Sequence, residues 1–171
     1  FGKIDPFLFF DQNSIADDET TRFLNTAFVH NPLLDAGGDV GVDTFGFTPG
    51  LRLAYKNETA KPIAWGASLA MFGAGSGATF TDSFEKPFLI AQFDTEQRFF
   101  GGLVGNYRLY VWRNGQATPY ANEADTTTEV HSGWGLSADQ RVGDAVTLFG
   151  RYGRQTKGKV RFDQAMTLGT E

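Results

Sequence analysis

Cysteine is absent from this 171-residue chain, and histidine occurs only twice. Without a thiol, the chain can form neither a disulfide framework nor a thiolate metal site. Basic residues are too scattered for a phosphate-binding surface, because 15 Lys and Arg are outnumbered by 20 Asp and Glu and the net charge is −5. We therefore expect no nucleic-acid partner, and no pattern in the sequence predicts a cofactor or a metal.

A long apolar helix is missing as well. The longest uncharged run, from Pro62 to Thr81, has 20 residues, which is nominally enough to span a bilayer as a helix. Its first half alternates large and small side chains, however, and its second half is rich in Gly, Ser and Thr. A membrane helix is apolar all round, so this run does not predict one.

Alternation with a period of two is the main pattern in the chain, which also has 17 Phe and 21 Gly. In residues 105–115, GNYRLYVWRNG, successive side chains fall on opposite faces, with Tyr107, Leu109 and Val111 on one and Arg108, Tyr110 and Trp112 on the other. The same alternation recurs in residues 51–56, 63–71, 89–97, 133–139 and 146–152. It predicts about eight strands and no helix of consequence outside Ala27 to Leu34.

Turn-forming segments of two lengths separate these strands. Short segments cover residues 56–62, 98–102 and 141–144, whereas long ones cover residues 11–43, 72–86 and 113–129. Short and long segments alternate along the chain. An up-and-down meander with tight turns at one rim and long polar loops at the other is typical of an outer-membrane barrel.

Two sheet architectures fit this alternation. A soluble sandwich or barrel would turn the apolar face inward, whereas a membrane barrel would turn it to lipid and line its lumen with the charged face. Amphipathic rings near the ends of the apolar stripes favour the membrane barrel, namely Tyr55, Trp65, Tyr107, Trp134 and Tyr152. On this interpretation Leu109 meets lipid, while Arg108, Tyr110 and Trp112 meet a wet lumen.

Three stretches carry a resemblance to a known family. They are GKIDPFLFFDQNSIADDETTRFLN (residues 2–25), GNYRLYVWRNG (105–115) and GWGLSADQRVGDAVTLFGRYG (133–153). Together they resemble carbohydrate-selective porins of the OprB type. The resemblance implies an all-β fold, namely an antiparallel up-and-down transmembrane β-barrel of roughly sixteen strands. Residues 1–171 would form about half of that barrel and would belong to a single barrel domain. The chain starts at Phe1 and its last residues, AMTLGTE, include no aromatic side chain, so we expect a mature piece or a fragment.

The resemblance also implies a function and a place in the cell. It implies passive diffusion of carbohydrates and other small hydrophilic solutes through the bacterial outer membrane, without enzymatic activity, and it admits a homo-oligomer. Sugars need hydrogen-bonding groups for their hydroxyls and aromatic rings for their C–H faces. The pore-lining side chains expected to bind them are Arg52, Lys56, Asp94, Glu96, Arg108, Tyr110, Trp112 and Arg151.

Other functions remain open at this point. One alternative is a soluble β-barrel that binds a small molecule, and another is a non-conducting outer-membrane barrel that serves as an anchor or adhesin. A hydrolase built on His131 and Ser132 is disfavoured because adjacent strand residues face opposite ways. Calcium could bind the acidic positions 17–19, 35, 39 and 43, although solvated acidic loops are the simpler explanation and the one we prefer.

Overall fold

The described residues form eight strands, and the fold class predicted from the alternation, all-β with antiparallel up-and-down strands, is confirmed. A computed structural model describes residues 1–18, 20, 22, 23, 25–35, 46–57, 63–74, 80, 85–117 and 127–171. The strands are β1 (Gly2–Ile4), β2 (Thr48–Asn57), β3 (Ala64–Phe72), β4 (Phe88–Phe99), β5 (Leu103–Ala117), β6 (Glu129–Arg141), β7 (Thr147–Lys157) and β8 (Gln164–Thr170). A 3-10 turn (Pro6–Leu8) and two single-turn helices, α1 (Thr26–Val29) and α2 (Pro32–Asp35), lie between β1 and β2.

The strands form one sheet in sequence order, so each strand pairs with the next. The β4–β5 turn occupies residues 100–102 and the β6–β7 turn residues 142–146, whereas residues 73–87 and 118–128 connect strands at the opposite rim. Positive φ angles of 46°, 82° and 102° at Phe100, Gly101 and Gly102 make the first turn tight, and glycine adopts such angles without strain. The predicted alternation of short and long connections is confirmed for these segments.

One face of the sheet, here called the exposed face, is apolar and open. Leu53 is 65% exposed, Leu109 48% and Met166 68%. The strand register aligns one row of side chains across seven strands on this face: Tyr55, Ala67, Phe93, Leu109, Leu136, Tyr152 and Met166. Every member of that row is apolar or aromatic, which is unusual for a surface that meets water.

The opposite face, here called the covered face, is packed against the described residues between 5 and 35, which we call the inner segment. Phe10, Leu33 and Leu34 of this segment are buried against side chains of β3, β4 and β5. A second cluster joins Ile15 and Ala16 to Phe149 of β7. Each large apolar side chain that is fully buried in this way contributes about 1.5–3 kcal/mol. The inner segment thus forms the second layer of the fold.

The prediction that residues 11–43 form a long polar loop is therefore wrong for the described residues between 11 and 35, and residues 36–43 lie outside the described part of the chain. Apolar side chains recur in that stretch without a strand-like or helix-like period, so periodicity did not reveal that it packs on the sheet. The predicted helical stretch Ala27 to Leu34 corresponds to α1 and α2, which His30 and Asn31 separate. Among the described residues, no helix is long and apolar enough to cross a membrane.

Glycines on β6 create space for the large rings of β5 on the covered face. A Cβ atom at Gly133 would overlap the ring of Trp112, and one at Gly135 would overlap the ring of Tyr110. These residues are cross-strand partners in the β5–β6 register. The rings therefore lie flat across the neighbouring strand, which lets the inner segment approach the sheet closely.

Candidate functional site

A cavity of about 450 Å³ lies on the covered face beside the inner segment. Strands β2, β3, β4 and β5 line it near their short connections, and Phe9 and Gln12 of the inner segment complete it. Five of the eight predicted site residues line this cavity, namely Arg52, Lys56, Asp94, Glu96 and Arg108. The fold therefore brings together charged side chains that are up to 56 positions apart in sequence, from Arg52 to Arg108.

Strand register places three of these charges in one row. Lys56 pairs with Gly66, Gly66 with Asp94, and Asp94 with Arg108, so the row crosses four strands. The Asp94 carboxylate lies over Gly66, where any Cβ would collide with it. Because glycine leaves this space, the carboxylate can lean across β3 toward the cations of β2.

Arg52 is held from two sides. Its Nη2 atom donates to Ser68 Oγ at 2.8 Å, and its guanidinium carbon lies 4.6 Å from the centre of the Phe9 ring. That distance is within the range of a cation–π contact. The inner segment and β3 together fix Arg52 in the wall of the cavity.

Glu96 pairs with Arg98 at the edge of the cavity. Arg98 Nη2 lies 3.3 Å from Glu96 Oε1, and the side chains are 47% and 41% exposed. An exposed pair of this kind contributes only about 0–1 kcal/mol. The pair therefore holds Glu96 in place only weakly.

Asp139 of β6 organises the side of the cavity that β5 forms, although it was not among the predicted site residues. Its carboxylate accepts hydrogen bonds from Asn106 Nδ2 at 2.7 Å and Arg108 Nη1 at 3.2 Å. It also accepts from Ser14 of the inner segment, from the amide at 3.1 Å and from Oγ at 2.5 Å. The alternation of β6 places Asp139 on the polar face, but only the three-dimensional structure reveals its four donors.

Tyr110 and Trp112 lie outside the cavity. Tyr110 is 0% and Trp112 3% exposed, because the inner segment covers both rings. The Tyr110 hydroxyl donates to Asp11 Oδ1 at 2.8 Å and accepts from Asn31 Nδ2 at 2.8 Å. The interpretation that these rings face a wet lumen is wrong for this chain. The alternation of side chains shows which face of the strand a residue occupies but not which other part of the chain packs on that face.

Arg151, the eighth predicted residue, is also buried. Its Nε lies 3.3 Å from Asp11 Oδ2, and its Nη atoms donate to the carbonyl oxygens of Asp11 at 2.9 Å and Phe28 at 2.5 Å. These contacts join β7 to two separate parts of the inner segment. Arg151 therefore holds the inner segment in place instead of lining the cavity.

Burial raises the pKa of the Asp11 carboxyl above its ordinary value. The Arg151 guanidinium, the Tyr110 hydroxyl and the Asn31 amide all act in the opposite direction, and burial outweighs them. The fully buried Asp11 carboxyl thus joins the inner segment to the sheet through hydrogen-bond donors inside the protein.

The weaker sequence motifs do not assemble into a second site. His131 is fully buried with Nε2 3.0 Å from Glu129 Oε1, whereas Ser132 Oγ lies on the opposite face, 3.3 Å from Thr156 Oγ1. Positions 19, 39 and 43 and the side chain of position 35 lie outside the described residues. Within the part of the chain that the structure describes, no group of three His, Cys, Asp or Glu side chains could hold a metal ion.

Comparison with known proteins gives no relative from which a function could be transferred. Neither the protein-family models, nor the curated proteins, nor the solved structures match this chain. The function must therefore be argued from the faces of the sheet and from the cavity.

Proposed function

We propose that this chain is part of an outer-membrane porin that lets carbohydrates and other small hydrophilic solutes diffuse passively into a bacterial cell. The proposal places the exposed face of the sheet in lipid and the covered face around the lumen of a transmembrane barrel. The full barrel would have roughly sixteen strands, about half of them from this chain. A homo-oligomer would be compatible with this assignment.

The inverted distribution of polarity is the observation that carries the proposal. Leu53, Leu109 and Met166 are exposed, whereas Asp139, Arg151 and other charged side chains are buried on the opposite face. A soluble protein with this sheet would leave a large apolar surface in water, which promotes aggregation. Strands that alternate apolar and polar side chains across a bilayer have this distribution because lipid replaces water on the outside.

The cavity supplies the chemistry that a sugar path requires. Charged donors and acceptors stand in one row from Lys56 to Arg108, with the Phe9 ring beside them. Hydroxyl groups of a sugar can exchange hydrogen bonds with water for hydrogen bonds with these side chains. Binding must remain weak for conduction, and a wetted, half-buried set of charges meets that requirement.

A non-conducting barrel that serves as an anchor or adhesin is the second candidate. The observation that favours it is the inner segment, which covers Tyr110, Trp112 and Arg151 on the face that would line a lumen. If the segment fills the lumen of the complete barrel, solutes cannot pass. The two candidates share the membrane assignment and differ only in conduction.

Single-channel recording of the full-length protein in a planar bilayer tests the proposal. We expect discrete conductance steps that glucose reduces in a saturable manner. Arg108→Ala should raise the glucose concentration that blocks half of the current, because a lost hydrogen bond to a charged group costs at most about 1.5–3 kcal/mol and less in a wet lumen. Leu109→Ala is the matched control, since the neighbouring side chain lies on the exposed face.

Four results would separate the candidates. Conductance with glucose block supports the sugar porin, and conductance without block leaves a general porin. An inserted protein without conductance supports the anchor. A protein that remains monodisperse without detergent would reject both and favour the soluble barrel.

A further inference from the structure

We infer that Asp139 is the positioning residue that sets the affinity of the cavity for its solute, by holding the Arg108 guanidinium against the β5 wall. This inference rests on the proposed function and identifies a residue that controls the same site. Asp139 does not line the cavity itself. It acts from the second layer of side chains, through Arg108 and Asn106, which both line the cavity.

The burial of the pair explains why Asp139 can position its partner. The Asp139 side chain is 3% exposed and that of Arg108 is 14% exposed, with 3.2 Å between Oδ2 and Nη1. A guanidinium presents its donors in a rigid planar fork, so a bond at one Nη restricts the orientations that the whole group can adopt. The remaining donors of Arg108 are then oriented before a solute arrives, which lowers the entropic cost of binding.

The Asp139 carboxylate is itself fixed by the inner segment. Both the amide and the hydroxyl of Ser14 donate to it, and Ser137 two positions earlier donates to the Gln12 carbonyl oxygen at 2.8 Å. Since Gln12 lines the cavity, the same strand positions both the Arg108 wall and the inner-segment wall. Asp139 is the one side chain among the described residues that contacts Arg108, Asn106 and Ser14 together.

A double-mutant cycle between Asp139 and Arg108 tests this inference in the full-length protein, with glucose as the probe. We expect Asp139→Asn to raise the half-blocking glucose concentration about fivefold, and to have no further effect in an Arg108→Ala background. The half-blocking concentration is measured on single open channels, so a loss of folded channels lowers the number of channels observed and leaves that concentration unchanged. Ser14→Ala is the comparison variant, because it removes one donor from the same carboxylate but leaves the Ser14 amide and Arg108 bound to it, so we expect a smaller shift than Asp139→Asn gives.

The outcomes distinguish this inference from the proposed function. If wild-type protein forms no channel that glucose blocks, both are overturned. Two results would overturn only the positioning role in a wild-type channel that glucose blocks. In the first, Asp139→Asn gives the same half-blocking concentration as wild type. In the second, Asp139→Asn shifts that concentration equally in the wild-type and Arg108→Ala backgrounds. A Ser14→Ala shift as large as that of Asp139→Asn would also overturn it, because Asp139 would then act through the inner segment.

A second substitution is available if Asp139→Asn does not insert into the bilayer. Asp139→Glu retains the charge but lengthens the side chain, so the guanidinium of Arg108 should be displaced. We expect about a twofold rise in the half-blocking concentration, again absent in the Arg108→Ala background. An equal rise in both backgrounds would contradict the inference.

Discussion

Leu109→Arg is the substitution that most directly tests which side of the sheet meets lipid. Leu109 is 48% exposed and pairs with Phe93 of β4 and Leu136 of β6, so its neighbours on the exposed face are also apolar. An arginine at this position adds a charge to a surface that the membrane assignment places in hydrocarbon. The same change on a surface in water would add one more solvated charge.

The expected magnitude follows from the position of Leu109 along its strand. Leu109 is six residues beyond the start of β5 at Leu103, which is about 20 Å at 3.4 Å per residue. With a strand tilt of about 45°, that length corresponds to about 14 Å along the membrane normal. An apolar band about 25 Å tall places this position near the midplane, where arginine costs about 2–4 kcal/mol.

Refolding into lipid vesicles across a urea titration measures this cost, with tryptophan fluorescence as the signal. Val146→Arg is the matched control, because Val146 is 44% exposed but lies in the β6–β7 turn, where the expected cost falls to about 0–1 kcal/mol. On a water-exposed surface both substitutions would change stability by less than about 0.5 kcal/mol. Equal effects of the two substitutions would therefore refute the assignment of the exposed face to lipid.

Two further predictions concern the covered face. Arg151→Met should lower the free energy of unfolding by about 3–5 kcal/mol near neutral pH, because Asp11 keeps a buried charge without its counterion. Burial already raises the folded-state pKa of Asp11, and loss of the guanidinium raises it further. As pH falls toward the ordinary carboxyl pKa, the folded variant therefore binds a proton that the unfolded chain lacks, which stabilises the folded state. The stability that the variant has lost relative to wild type should consequently shrink on acidification. Urea titrations near pH 7 and at about pH 5 check the sign, and a deficit that grows on acidification would contradict it. Gly135→Ala should cost about 1–3 kcal/mol because its Cβ would overlap the Tyr110 ring, whereas Gly143→Ala meets no atom within 4 Å and should be nearly neutral in the same assay.

The alternation of side chains was sufficient to predict the six strands β2 to β7 and the two faces of each, whereas it did not identify β1 or β8. A strand alternates its side chains with a period of two whatever surrounds it, so the placement of Leu109 and Arg108 on opposite faces could be read from GNYRLYVWRNG alone. The connections were predictable for a similar reason, because Phe100 to Gly102 and residues 142–146 are short and contain turn-forming glycines. Both properties depend on local conformation.

The partners of the polar face depended on contacts between distant parts of the chain. Asp11 donates its amide to Gln92 across 81 positions, and Arg151 donates to the Asp11 carbonyl oxygen across 140. No local period links such residues, so the sequence did not indicate that the inner segment buries Tyr110 and Trp112 or that Asp139 holds Arg108. Alternation in the sequence determined which face of the sheet each side chain occupies. Only the tertiary structure decided which of those side chains are covered and which remain open in the cavity, because covering a face requires long-range packing that a period of two does not encode.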